Sequence, residues 1–277
     1  MRLATALRRL AVALGLVAIL VVVSAFPIYW MLVSSLGKGS QFSWPPHLLP
    51  QQLGVESYLR AVRDWPLLHW TLNTLFVTVG ATVLSLLVSI PAGLSVSRFR
   101  TRINRAFGGF VLVTQMIPAT LLVVPMFIIF ARTGLLDTLW GLLLADTAFS
   151  VPLAVWMIKG FIDSIPVDLE EAAMVDGCSR PRAFVHITVP LAVPGIVAVA
   201  VFCFLVTWGE FFFARTLVSS DDNWVLSVGL NSFQGQYVTH WSSMLAAAVL
   251  FAVPPLVFFA LMQRRLVGGL TGGAVKG

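Results

Sequence analysis

Acidic side chains are scarce in this 277-residue chain, and four of its twelve fall within one short run: Asp168, Glu170, Glu171 and Asp176. They lie in the stretch Asp163–Gly195, DSIPVDLEEAAMVDGCSRPRAFVHITVPLAVPG, the most polar interruption of an otherwise apolar sequence. Clustered carboxylates can do acid–base chemistry, hold a cation or form a contact surface. At the start of a short helix they sit where the backbone N–H groups favour negative charge, and a contact with a soluble partner is the reading that uses them all. Metal chemistry finds no ligand set, because His47, His69, His186 and His240 are scattered and lack ligand-like neighbours. Cys178 and Cys203 give neither a disulfide framework nor metal-ligand spacing. No G-x-x-x-x-G-K-[ST] loop is present, so the chain should not hydrolyse ATP itself, and a non-catalytic role is expected.

The elements that must position these residues are membrane helices. The chain is 58% apolar and 11% charged, against about 25% charge in a soluble domain. A spanning helix needs about 20 mostly apolar residues. Six segments qualify, at about 10–36, 70–97, 106–131, 139–162, 187–214 and 241–265. Each is a continuous apolar run without period-two alternation, which excludes barrel strands. The fold class expected is therefore all-α, a multi-pass membrane protein of six helices. Residues 1–69 form a first helix and an outer loop, 70–266 a five-helix core with a polar connection at 163–186, and 267–277 a tail. Arg2, Arg8 and Arg9 precede an apolar run too long for a signal-peptide core, so the first helix is expected to stay. A short outer helix is expected near Val55–Val62. Pro91, Pro118, Pro125, Pro152, Pro194, Pro254 and Pro255 fall inside spans and predict kinks.

The cations set the orientation. With a cytoplasmic N-terminus, 13 of the 18 Lys and Arg residues fall on the cytoplasmic side, among them Arg98, Arg100, Arg102, Arg105, Lys159, Arg180 and Arg182. Lys38, Arg60, Arg63, Arg132 and Arg215 fall on the other. The positive-inside rule favours this arrangement. It places both termini and the 163–186 connection in the cytoplasm, and it ascribes the basic balance to membrane topology rather than to nucleic acid.

Local signals shape the polar stretch. Asp163 or Ser164 can cap a helix with Pro166 in its first turn. Leu169, Ala172, Ala173 and Asp176 share a face by spacing. Gly177 is a natural stop. Ser179 can start a second short helix with Pro181 behind it, and the chain re-enters the membrane near Pro190.

Glu171-Ala172-Ala173, three residues, Gly177, nine residues, Ile187, then Val189-Pro190 resembles the EAA loop in permease subunits of bacterial ATP-binding-cassette importers. The family pattern usually has leucine where Val189 stands. Trp208-Gly209-Glu210 and the tail Gly268–Gly277 resemble the maltose-type carbohydrate permeases, and the likeness covers roughly Leu67 to the C-terminus. The resemblance implies a type I importer permease fold in the cytoplasmic (inner) membrane. It implies sugar uptake, of the di- or oligosaccharide class, by alternating access. The partners implied are two ATPase subunits carrying ATP and Mg, a second non-identical permease, an extracytoplasmic solute-binding protein and membrane lipid, with no nucleic acid and no cofactor bound by this chain. It also implies that Glu170, Glu171, Ala172, Ala173, Asp176 and Gly177 couple the bundle to the ATPase. The tail 271–277 would reach the ATPases, and the loop Ser232, Phe233, Gln234, Gly235, Gln236 and Tyr237 would meet the binding protein.

Polar groups within the spans are costly and often functional. Asn73, Gln115, Trp208 and Glu210 are the residues expected along a translocation path. Asp146 and Glu210 lie toward outer span ends, where an ion pair with Arg132 or Arg215 would be the simple outcome. Two other classes fit an apolar multi-pass chain. An ion-coupled secondary transporter would show repeats in two halves, and none is visible. A membrane-embedded glycosyl transferase for lipid-linked substrates would need a carboxylate or histidine cluster at one face, and the only acidic cluster is the one the docking reading uses. The cargo itself is not written in the sequence.

Overall fold

The computed structural model describes residues 2–37, 49, 53–99, 101–235 and 239–274. Regular structure among them is helical, apart from isolated bridges pairing Gly37 with Leu53 and Gln234 with Thr239. In chain order the helices are α1 (Arg2–Leu36), α2 (Glu56–Asp64), α3 (Leu67–Arg98), α4 (Arg102–Thr114), α5 (Ala119–Thr133), α6 (Leu139–Asp163), α7 (Asp168–Val175), α8 (Arg180–Ala183), α9 (Val189–Trp208), α10 (Phe212–Leu217), α11 (Leu226–Asn231) and α12 (Trp241–Ala274). A π-helical turn, Phe184–Thr188, joins α8 to α9. The short helix expected near Val55–Val62 is α2. Five helices are long and apolar enough to cross a membrane, and the bent pair α4–α5 makes a sixth span if it counts as one.

The chain divides into two compact units, Met1–Leu67 with Leu230–Ala252, and Leu68–Gly229 with Val253–Gly277. In the first unit, the Gly54 N–H donates to the Leu36 carbonyl (2.8 Å), and the Ser35 and Tyr58 hydroxyls share a bond of 2.7 Å. Together they tie α2 to the end of α1. Trp65 stacks on the buried Phe233 at 4.1 Å between ring centroids. The rest of α1 exposes Leu14, Leu16, Val17, Ile19, Leu20, Val21, Val22 and Val23, a surface that suits hydrocarbon and not water.

In the second unit α6 is the central helix. It buries Leu142, Leu143, Ala145, Asp146, Thr147, Ser150, Ala154, Val155, Ile158 and Ile162. Small residues let its neighbours approach closely, as is common where membrane helices touch. A Cβ on Gly93 of α3 would lie 2.6 Å from Ile158, and one on Gly195 of α9 would lie 2.2 Å from Phe161. The Trp156 indole N–H reaches the Gly108 carbonyl at 3.2 Å and fastens α4 to α6. Phe204 of α9 stacks on Phe258 of α12 at 4.1 Å.

Two spans differ from their expected form. The span expected at 106–131 is broken into α4 and α5, bent by 100°. Pro118 has no N–H to offer and would clash with the carbonyl four residues back, so it begins α5 in an extended conformation. Before it, the amides of Gln115, Met116 and Ile117 each donate three residues back, closing α4 tightly. Pro91, Pro152 and Pro194 lie inside α3, α6 and α9, which run through them. The span expected at 187–214 begins earlier and stops earlier: its helix runs Arg180–Trp208 through the π turn. The helix that carries this span therefore already starts at Arg180, ahead of Pro190. After Gly209, Glu210 starts a separate helix, because its carboxylate accepts the N–H groups of Phe213 (2.8 Å) and Ala214 (2.9 Å) at the first turn of α10.

Candidate functional site

The segment from Asp163 to Thr188 folds as a helix–turn–helix corner. Its beginning departs from the expected cap. Asp163 is the last residue of α6, held by the Lys159 ammonium and the Ser97 hydroxyl. Ser164 closes α6 through an N–H bond to Phe161 (3.2 Å). Helix α7 starts only at Asp168, and Val167 before it offers no side-chain cap. Asp168, Glu170 and Glu171 occupy its first turn, so the helix end is stabilised by carboxylates near its unpaired N–H groups.

The end of α7 follows the sequence closely. Gly177 is left-handed at φ 91°. Its N–H bonds the Met174 carbonyl (3.1 Å), and the Cys178 N–H bonds the Ala173 carbonyl (3.0 Å). That pair is the Schellman arrangement, which requires a residue at ease with positive φ. A Cβ at Gly177 would meet nothing within 4 Å, so conformation alone demands glycine. Ser179 then stands at the start of α8 with Pro181 in its first turn, as expected, though without a side-chain cap bond.

Neighbouring carboxylates on α7 have opposite environments. Glu170 is buried. Its Oε1 accepts the Arg98 Nε–H at 2.8 Å and the Thr188 hydroxyl at 2.7 Å. Arg98 also donates to the Ile165 carbonyl at 3.0 Å. Four segments thus meet at one carboxylate: the end of α3, the α6–α7 turn, α7 and the π turn. The Arg180 guanidinium over the Phe99 ring, at 5.6 Å, adds a second tie to the α3 end. Glu171, Ala172, Val175 and Asp176 are exposed, Leu169 is largely so, and Ala173 is half-buried. Val175 is 88% exposed, an apolar side chain presented outward on a braced helix. Glu170, grouped with Glu171 by sequence, turns inward and pins the corner instead of facing out. Arg98 and Thr188 are the residues that sequence reasoning missed. The only signal for Arg98 was its place as the first cation after a span, and it was counted there as a topological charge.

Of the expected path residues, Trp208 and Glu210 line one small cavity together, while Asn73 and Gln115 make contacts elsewhere. Asn73 is buried, and its Nδ2 donates to the carbonyls of Asp222 (2.8 Å) and Trp224 (2.9 Å), fixing a loop to α3. Trp208 is buried and stacks on Phe204 at 5.6 Å. Glu210 caps α10. Gln115 is exposed at the α4–α5 break, its amide 3.5 Å from the Phe149 carbonyl. Asp146 and Glu210 make no ion pair with Arg132 or Arg215 among the described residues. The helix ends leave Glu210 facing backbone amides, and Asp146 points into the packed face of α6. Asp137, which sequence reasoning left unremarked, clamps the Ser219–Asn223 segment. Its Oδ1 accepts the N–H groups of Ser219 (2.8 Å) and Ser220 (2.9 Å) and the Ser220 hydroxyl (2.9 Å). The Ser220 N–H holds the Asp137 carboxyl below its ordinary value, aided by the Ser219 N–H against desolvation.

Within the loop expected to meet a binding protein, Phe233 is buried against Trp65, Ser232 is half-buried, and Gln234 and Gly235 are exposed. Gln236 and Tyr237 lie outside the described residues, as do residues 275–277 of the tail. Backbone helix α12 continues through Ala274.

Comparison with known proteins fits this architecture. The chain is 35% identical over 263 residues to the inner membrane ABC transporter permease protein YcjP of Escherichia coli, covering 94% of each. It is 32% identical to the diacetylchitobiose uptake system permease protein DasC of Streptomyces coelicolor, covering 91% of this chain and 92% of that one. It is 30% identical to the trehalose/maltose transport system permease protein MalG of Thermococcus litoralis, covering 98% of each. In fold it matches a chain of a bacterial ABC transporter involved in import of the acidic polysaccharide alginate, with a TM-score of 0.78 at 23% identity, over 92% of this chain and 95% of that chain. The sequence model of the binding-protein-dependent transport system inner membrane components matches residues 85–271. With its all-helical membrane architecture and its EAA corner, the chain belongs to that family of multi-pass importer permeases.

Proposed function

We propose that this permease passes a carbohydrate of the di- or oligosaccharide class inward, driven by ATP hydrolysis on two separate subunits, one of which docks on the outward face of α7. The observation that carries the proposal is the contrast on α7 itself. One face is locked to the bundle through Glu170, Arg98 and Thr188. The other presents Glu171, Ala172, Val175 and Asp176 to solvent. A push on that face is delivered to α3 and α9 with little slack, because the contacts behind it are buried and charge-assisted.

In this reading Glu171 makes the polar contact to the ATPase, Ala172 and Ala173 allow close approach, and Gly177 sets the turn. ATP and Mg²⁺ belong to the partners. A second, non-identical permease completes the pathway, and an extracytoplasmic binding protein delivers the sugar near Ser232–Tyr237. Both termini and α7 are cytoplasmic. Arg98, Lys159, Arg180 and Arg182 lie on the helix ends that lead into the α7 corner, which agrees with the positive-inside rule. The sugar class rests on the relatives, which are named for diacetylchitobiose and trehalose/maltose uptake.

The test is uptake into proteoliposomes holding this chain with its co-expressed permease and ATPases, supplied with binding protein outside and ATP inside. Labelled trehalose, maltose and diacetylchitobiose are offered in turn. The expected result is ATP-dependent accumulation of at least one. Accumulation without ATP, driven by an ion gradient, would overturn the energetic part, and ATP-driven uptake of a non-carbohydrate alone would overturn the cargo class.

A further inference from the structure

Asp146 stands on the buried face of α6 and is only 3% exposed. Its Oδ1 has no hydrogen-bond partner among the described residues, and neither has Thr78 Oγ1 or Thr207 Oγ1. All three residues line one cavity, together with Thr74, Glu210 and Ser227. The cavity sits where the N-terminal parts of α3 and α6 meet the end of α9, and it has room for about one water-sized occupant.

Several nearby polar groups are already committed. The Thr74 hydroxyl donates to Trp70 O at 2.6 Å and accepts the Leu226 N–H at 2.8 Å. The Ser227 hydroxyl donates to the Glu210 carbonyl at 2.6 Å. Both Glu210 carboxylate oxygens accept backbone amides of α10. Glu210 is the only other ionisable group lining the cavity, and it too is acidic. The elements around Asp146 supply no Lys, Arg or His to this lining.

A buried carboxylate left without a partner costs several kcal/mol, so it either meets a cation or gains a proton. The free groups here are oxygens surrounding a one-atom space. Among the described residues no group of three or more His, Cys, Asp or Glu side chains gathers to hold a metal, which leaves the set too poor for a divalent ion. We propose that the Asp146 cavity binds one small monovalent cation, held by the Asp146 carboxylate with the Thr78 and Thr207 hydroxyls. The bound species is either a sodium-sized ion held among these oxygens or a proton taken up by the Asp146 carboxylate itself. It locks α3, α6 and α9 together at the end of the unit opposite α7.

The experiment follows thermal unfolding of the full chain in nanodiscs at constant ionic strength. One arm replaces choline chloride by sodium chloride at pH 7.5. The other lowers the pH from 7.5 to 5.5 in choline chloride. Binding only to the folded state raises the melting temperature with the logarithm of the bound species. Sodium binding predicts a rise in the first arm that Asp146→Asn abolishes. Proton binding predicts a rise in the second arm only, again absent in Asp146→Asn. If Asp146→Asn does not fold, Thr207→Val, which keeps the shape and removes one oxygen, must weaken the same response. The proposal is overturned if wild type responds to neither arm, or if the variants respond as wild type does.

Discussion

Two acidic sites at opposite ends of the second unit are built on opposite terms. At the α7 corner Glu170 is buried with a cation: Arg98 and Thr188 occupy the same oxygen, and Arg98 reaches on to the Ile165 carbonyl. At the other end Asp146 is buried with another acid as its nearest charged neighbour in the cavity lining. The first arrangement is complete within the chain, and it serves as a joint. The second is incomplete within the chain, and it calls for something small from outside. The same contrast runs along α7, where Glu170 is satisfied internally and Glu171, one residue on, is left for a partner.

Removing the joint should have the largest effect. Arg98→Ala leaves the Glu170 carboxylate buried and unpaired, which typically costs 3–5 kcal/mol, about the stability of a marginal domain. Membrane-inserted protein should fall sharply on quantitative blotting, and uptake should be lost. The double variant Arg98→Met with Glu170→Met should recover much of the stability, since apolar replacement of a buried pair is often neutral. If it recovers stability and not ATP-driven uptake, the joint transmits force as well as holding the corner.

Gly177→Ala comes next. Nothing crowds a Cβ there, so the cost is that of forcing an L-residue to φ 91°, about 1–2 kcal/mol. A thermal melt should show it, and Gly177→Asn should lose less, because asparagine tolerates the left-handed region.

Asp137→Asn should cost about 1 kcal/mol at neutral pH, through weaker acceptance from Ser219 and Ser220. Asparagine also tolerates the positive φ of 56° at this position. Because the folded Asp137 carboxyl lies below its ordinary value, its contribution is complete above about pH 4 and is lost as pH falls through the folded value. The difference in melting temperature between wild type and variant should therefore shrink in acid. A difference independent of pH would remove charge from the explanation.

The smallest effect on stability belongs to Glu171→Ala, within about 0.5 kcal/mol, since the side chain is exposed. Its effect on substrate-stimulated ATP hydrolysis should nonetheless be large. A variant that unfolds the chain would place Glu171 with Glu170, among the structural carboxylates.

Much of this was legible in residue types and spacing. Apolar runs gave the spans, and Gly177 gave the end of α7 because few residues adopt its φ. The EAA spacing gave the corner and the family, and the relatives favour the importer over a secondary transporter or a glycosyl transferase. The rest depended on tertiary partners. Several prolines sit in spans, yet Pro91, Pro152 and Pro194 are accommodated while Pro118 breaks its helix; local sequence does not carry the packing that decides. Glu170 and Glu171 differ by one residue, about 100° around a helix, and the inward one is marked by partners distant in sequence, Arg98 at 72 residues and Thr188 at 18. The cost of Asn73, Trp208 and Glu210 in a bilayer marks them as polar positions in the spans, but the partners that meet that cost, the Asp222 and Trp224 carbonyls, the Phe204 ring and the α10 amides, are visible only in the fold.

The docking face of α7 is tested most directly by Val175→Glu, which charges the outward apolar side chain without touching the joint behind it. The tagged chain is co-expressed with its ATPase, extracted in mild detergent, and the ATPase recovered per permease is measured beside the melting temperature. The account predicts at least a tenfold loss of recovered ATPase at an unchanged melting temperature. Undiminished recovery, with the variant folded, would contradict it.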